Sequence, residues 1–177
     1  EQRKVRTDLG HRLLAERPES TGTLMRKGVD LYKKAAKVRA AYAIIMGMSK
    51  KGVFLDRILP PNASKSDDDF RNATISERSF EYSLDPLLAK HGTLTPLSVD
   101  VQIRTLERYW CAIKDIVKDP FVVYNKETGD NPNKYCIQQP IGVVSLHMLL
   151  QDLALQCQKP PEKFSKEDFQ KLLDVPC

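Results

Sequence analysis

The chain has 177 residues, with 28 Lys and Arg against 23 Asp and Glu, a formal net charge of +5, and is 29% charged and 41% hydrophobic. This composition excludes a generally disordered chain, and the length suits one domain with a sizeable core rather than two. The longest apolar run, Ala40 to Met48, contains Gly47 and falls far short of the ~20 residues a membrane crossing needs, so the expectation is a cytoplasmic protein with no membrane partner.

The elements follow from apolar spacing and its punctuation. Val5, Leu9, Leu13 and Leu14 recur at helical intervals and predict a first helix that Pro18 ends. A second, longer helix is expected from about Leu24 to Met48, with Leu24, Leu31, Ala35, Val38, Tyr42, Ile45 and Met46 as its apolar side. Val53 to Ile58 reads as a short extended segment, and the stretch from Asn62 to Asn72 as a polar loop. Thr74-Ile75-Ser76 is expected to pair with the Phe54 segment, and Ser76 to cap a helix running through Leu88 and Ala89 that Gly92 terminates. The next helix should run from Leu97 or Ser98 to Lys118 on a buried stripe of Val101, Leu106, Trp110, Ile113 and Val117, broken by Asp119-Pro120. After a polar, hairpin-like loop from Asn125 to Lys134, a helix is expected from Gly142 to Gln158 with Val143, Leu146, Leu149, Leu150, Leu153 and Leu155. A last one should start at Ser165, whose hydroxyl and Asp168 fit a reciprocal capping box, and should cover Phe169, Leu172 and Leu173. The sum is an all-α fold, about six helices in a single domain over residues 1–177, with at most a very short two-stranded β element.

Charge is distributed unevenly along this framework. Residues 1–52 hold thirteen Lys and Arg against five Asp and Glu, a balance of +8, while residues 53–177 hold fifteen against eighteen, a balance of −3. A basic stretch built of helix formers is the electrostatic footprint of a protein that approaches a polyanion. Arg3, Lys4, Arg6, Arg12, Arg26, Lys27, Lys33, Lys34, Lys37 and Arg39 are therefore the candidate nucleic-acid contacts. Few aromatics stand among them, so a duplex backbone suits them better than stacked single strands.

Motifs for chemistry are scarce. His11, His91 and His147 stand far apart, and His147, flanked by Leu146 and Met148, is read as a packed imidazole rather than a base. Cys111, Cys136, Cys157 and Cys177 form no CxxC pair, which argues against zinc, and Cys111 is read as a buried reduced thiol. The chain has no GxSxG, P-loop or HExxH, and its eight glycines are spread singly, so no phosphate-wrapping loop is expected. The Asp67 to Asp69 run lacks the alternation and the glycine of a calcium loop and is read as a solvated turn. Glu77 with Glu81, and Asp115 with Asp119, are read as exposed helix acids, and Trp110 as core rather than a base-stacking platform. No catalytic residue, cofactor or metal is assigned, and the expectation leans away from an enzyme.

Three segments, taken in order, carry a family resemblance: Glu1-Gln2-Arg3-Lys4-Val5-Arg6-Thr7-Asp8-Leu9 with Leu13-Leu14; Phe54-Leu55-Asp56-Arg57-Ile58 followed by Thr74-Ile75-Ser76 and Phe80; and Tyr109-Trp110-Cys111-Ala112-Ile113 with Gly142 and Leu149-Leu150. The first resembles the stretch after the ParB-like core of DGQHR-domain proteins, where an N-x-x-Q-x-x-V segment leads into a helix. The second is similar to that group's P-F-x-x-R-I and I-T-x-x-x-F pieces, and the third looks like its Y-F-x-A-I and G-x-x-x-L helices. The group includes DndB-like proteins, associated with DNA phosphorothioation systems and DNA-binding control of them. The resemblance implies the helical C-terminal part of a longer prokaryotic protein of a DNA-modification or defence system, with the name-giving motif upstream; Asp8-Leu9-Gly10-His11-Arg12 looks like that motif but lies inside a helix, and no functional residue is carried over to it. The expected role is a non-enzymatic DNA-associated accessory or regulatory protein whose partner is double-stranded DNA. The alternatives are a protein-interaction or homo-oligomerisation scaffold, and a structural buttress for an enzyme whose active site lies upstream.

Overall fold

The computed structural model describes residues 29–61, 63–64, 68–157 and 159–173, with side chains from Ala36 onward. The expected first helix at Val5 and the Leu24 start of the second lie outside the described residues. Among the described residues the fold is all-α, with six α-helices, six single-turn 3-10 helices and one sheet of two two-residue strands.

Helix α1, Val29–Met48, ends where the sequence places its end and buries Val38, Ala41, Ile44, Ile45 and Met48. Its inward side is turned relative to the expected stripe: Met46 is exposed and Tyr42 half-buried, while Ala41, Ile44 and Met48 go inside. The reason is a close helix crossing. A Cβ on Gly47 would lie 2.6 Å from Ile103 Cδ1, so the absent side chain lets a later helix lie against this end of α1.

The segment after α1 is less extended than its composition suggests. Gly52–Phe54 forms a 3-10 turn, and both Gly52 (φ +76°) and Asp56 (φ +56°) adopt the left-handed region, which glycine enters freely and aspartate tolerates. Strand β1 is only Ile58–Leu59, and it pairs in parallel with β2, Ile75–Ser76, in the register Ile58 to Ile75 and Leu59 to Ser76. Ser76 then caps α2, Glu77–Ser83, by accepting from the Ser79 N–H at 3.2 Å. The single helix expected through Ala89 is broken at Leu84, because Pro86 has no N–H to continue the ladder, and α3 is the separate turn Asp85–Leu88.

Helix α4, Val99–Ile116, buries Gln102, Thr105, Leu106, Tyr109, Trp110, Ala112 and Ile113. Val117, expected on that stripe, is exposed: the backbone leaves the helix there, at φ −121° and ψ 86°, ahead of Asp119-Pro120. The hairpin-like loop closes by an isolated antiparallel bridge between Asn125 and Asp130. Helix α5, Pro140–Gln156, starts two residues earlier than expected because Pro140 is suited to a first helical position. Its buried residues are Val143, His147, Leu150 and Ala154, while Leu149 and Leu155 of its apolar set are exposed. Helix α6, Lys166–Leu173, is introduced by the reciprocal cap read from the sequence: the Asp168 N–H donates to Ser165 Oγ at 3.1 Å and the Ser165 N–H to Asp168 Oδ2 at 3.0 Å.

The core forms where α2, α4 and α5 converge over the Phe54 turn. The Phe54 ring meets Phe80 at 4.9 Å and Trp110 at 4.7 Å between centroids, both edge-to-face, and Tyr109 meets Phe169 of α6 at 5.2 Å. The Tyr109 hydroxyl, whose pKa burial raises, donates to the Leu146 carbonyl at 2.7 Å and ties α4 to α5.

Candidate nucleic-acid interface

Of the ten candidate cations, Arg3, Lys4, Arg6, Arg12, Arg26 and Lys27 lie outside the described residues. Lys33 and Lys34 belong to α1, with side chains outside the described set, and Lys37 and Arg39 are described in full. At 100° per residue the last two project about 200° apart, so they do not share one helix face. Lys37 lies nearer the side that packs on the body and pairs with Asp85 at 2.6 Å, its side chain one third exposed. Such a pair at the surface is worth under about 1 kcal/mol, and a phosphate can compete for the ammonium. Arg39 is half-buried.

Beside Lys37 runs a groove of about 530 Å³, floored by Ala36, Ala40 and Leu88 and edged by Lys90. Gln102 lines it but is used structurally: its Nε2 donates to the carbonyls of Leu94 at 2.9 Å and Leu97 at 3.0 Å, and its Oε1 is screened from solvent. A second groove, of about 630 Å³, runs along α4 past Arg104, Arg108 and Cys111 to Lys166. Glu107 and Glu162 line it as well, so its charge is mixed, and Lys166 is held by Asp115 at 2.6 Å. Arg108 donates to the Glu162 carbonyl at 3.0 Å, which fixes the Pro161–Lys163 turn to α4. Neither groove extends the basic character of residues 1–52 as a continuous cationic surface.

The other groups singled out from the sequence are occupied by packing. His147 is fully buried between two fixed partners. Trp110 Nε1–H can only donate, so at 3.1 Å His147 Nε2 must accept, and Nδ1 therefore carries the proton and donates to the Ser83 carbonyl at 3.0 Å. With both nitrogens engaged and no solvent contact, the imidazole is a structural strut and has no free position for a substrate proton. Burial pushes its pKa down to about 4, partly countered by the Ser83 hydrogen bond. Trp110 lies wholly in the core. Cys111 is half-buried and burial raises its thiol pKa, which keeps it protonated. Asp115 is spoken for by Lys166 and by Gln170 at 2.8 Å, and hydrogen bonding to Lys166 holds its carboxyl below the usual range. Asp68 pairs with Arg71 in the 68–70 turn. Among the described residues no group of three or more His, Cys, Asp and Glu gathers as a metal site, and no helix is long and apolar enough to cross a membrane.

Arg57 is a residue whose role the sequence did not disclose. It is 5% exposed, and its guanidinium donates to the carbonyls of Val122 at 2.7 Å and Phe121 at 3.3 Å, with Asn72 at 3.5 Å. Desolvation lowers its pKa, against the pull of Asp56, yet an arginine stays charged. It pins the segment after α4 to the β1 edge. Asn72 helps by accepting the Tyr124 N–H at 2.7 Å. Only an apolar neighbourhood around an isolated arginine hinted at this. Arg104 and Arg108 had a weak signal too, since a spacing of four puts two cations on one face of α4.

Compared with known proteins, the chain matches no family model, no curated protein and no solved structure.

Proposed function

We propose that the chain is the helical part of a non-enzymatic, cytoplasmic, DNA-associated accessory or regulatory protein of a DNA-modification or defence-type system, of the DGQHR-domain, DndB-like kind, and that its basic N-terminal third grips duplex backbone. One observation carries this reading: the whole of the net positive charge precedes residue 53, and the remainder of the chain is net negative. The fold supports it in one respect. Val38, Ala41, Ile44, Ile45 and Met48 dock α1 on the body, and Lys37 and Arg39, the two candidate cations described in full, both keep part of their side chains in solvent beside that anchor.

Contacts of this kind read phosphate rather than sequence and release counterions. Fluorescence anisotropy of a labelled duplex across a salt series tests it: log affinity falls linearly with log salt, with a slope of several units. Lys33→Glu/Lys34→Glu/Arg39→Glu weakens binding to unrelated duplexes about equally and flattens that slope. Absence of binding at about 50 mM salt overturns the proposal.

A further inference from the structure

Gln102, on the first turn of α4, is 3% exposed and lines the groove beside Lys37. Its Nε2 donates to the carbonyls of both Leu94 and Leu97, and this fixes the amide's orientation, since the reverse would set an oxygen against two oxygens. Oε1, the other branch, accepts from no donor among the described residues. Leu94 and Leu97 stand outside the groove lining to which Gln102 belongs, so the branch turned toward the groove is Oε1. Thr95 brings a hydroxyl to the same lining, but it is spent on the Ala89 carbonyl at 2.6 Å. Buried acceptors almost always have a donor, and an orphaned one on a groove wall marks where a ligand's N–H or O–H belongs.

The rest of the groove defines the remainder of that ligand. Ala36, Ala40 and Leu88 make an apolar floor, and its two alanines project little, so a planar ring lies flat on it. The volume of about 530 Å³ is that of a small-molecule site. Lys37 and Lys90 bring positive charge from two separate elements. They are point charges without the arginine fork that grips a doubly charged phosphate, and they suit a single negative charge. Lys37 contacts Asp85 at 2.6 Å in a partly exposed pair, a contact that a ligand carboxylate can exchange with.

We propose that this groove binds a small amphipathic carboxylic acid, with a flat apolar body on Ala36, Ala40 and Leu88, an N–H donated to Gln102 Oε1, and the carboxylate against Lys37 and Lys90. The proposal requires no nucleic acid, and it and the duplex reading can fail separately.

Titration of the ¹⁵N-labelled full chain with indole-3-acetic, indole-3-propionic and indole-3-butyric acids, followed by amide shifts in the absence of DNA, tests it. The series keeps the ring and its N–H while varying the reach to the carboxylate. At least one member is expected to bind with a dissociation constant of about 0.1–1 mM, shifting the backbone amides of 36–40 and 88–90 and the Gln102 side-chain amide. Its 1-methyl analogue, which has no N–H, should bind about tenfold more weakly, because Oε1 is then buried against a methyl group. Lys37→Ala/Lys90→Ala, at positions that keep solvent contact, should weaken binding about five-fold or more with the remaining amide spectrum unchanged. Absence of any shift up to about 5 mM, well above that affinity range, overturns the proposal, as do shifts confined to other parts of the chain. Equal binding of the 1-methyl analogue, or an unchanged affinity in the lysine variant, overturns it too.

Discussion

At the scale of single residues, His147 and Arg57 show polar groups committed to the interior. Between pH 6.5, the ordinary imidazole value, and about 4, the buried one, the unfolded chain binds one proton that the folded chain does not. Stability therefore rises with pH across that window at about 1.4 kcal/mol per unit; the contribution is complete above pH 6.5 and has fallen by about 3 kcal/mol once the pH reaches 4. Urea unfolding midpoints measured from pH 7.5 to 4 are expected to show this slope. His147→Gln should flatten it, the comparison with wild type removing the acid titration of Asp115 and Asp168. For Arg57, replacement by Leu strands the carbonyls of Phe121 and Val122 away from a donor and should cost about 2–4 kcal/mol, and Lys, which lacks the fork, should recover only part of it. A denaturant series on the two variants checks both the size and the order. The apolar flanks of His147 marked it as a packed imidazole, but its partners were not legible in the sequence, nor was the role of Arg57, because His147 and Trp110 are 37 positions apart and Arg57 lies 64 and 65 positions from its acceptors.

At the scale of elements, local chemistry was readable where the partners lie within a turn of each other. The Ser165 and Asp168 cap is such a case, and Ser165→Ala should lower stability by about 1 kcal/mol, seen as a fall in the thermal midpoint with the fold retained. Pro86 was equally visible in the sequence, yet its consequence, the break at Leu84, follows only when the proline is weighed against the apolar spacing running through it. Glycines separate the two kinds of information. A Cβ at Gly142 would collide with the Cys136 carbonyl oxygen, part of the backbone, whereas one at Gly47 would meet only the Ile103 side chain. Gly142→Ala should thus be severely destabilising, by about 3 kcal/mol or more, and Gly47→Ala should cost about 1–3 kcal/mol as Ile103 repacks. Thermal melts of the two variants side by side test that ranking.

At the scale of the whole molecule, charge and apolar surface are segregated. Cations concentrate before residue 53, while the described body presents mixed-charge grooves and, on α5, an outer face whose single charge is Asp152. Lys37 stands where the two regimes meet, held by Asp85 at the start of α3. If α1 contacts phosphate, Asp85→Asn releases that ammonium and strengthens duplex binding several-fold at low salt, an effect that fades as salt rises. Anisotropy titrations of this variant at two salt concentrations check it, and an unchanged affinity removes Lys37 from the contact set.

The sequence by itself determined the helical class, the positions of most helix ends, the two-stranded element and the division of charge, because apolar spacing, prolines, caps and net charge all act over a few neighbouring residues. Tertiary structure alone decided which side of α1 turns inward, since a close crossing at Gly47 outweighs the average apolar direction. It likewise decided that Arg57 and His147 are struts and that the Ile141, Met148 and Leu155 row of α5 faces outward. Periodicity marks a residue as apolar or polar, but a helix apolar on every side has no preferred inward direction of its own, and only the elements packed against it assign one.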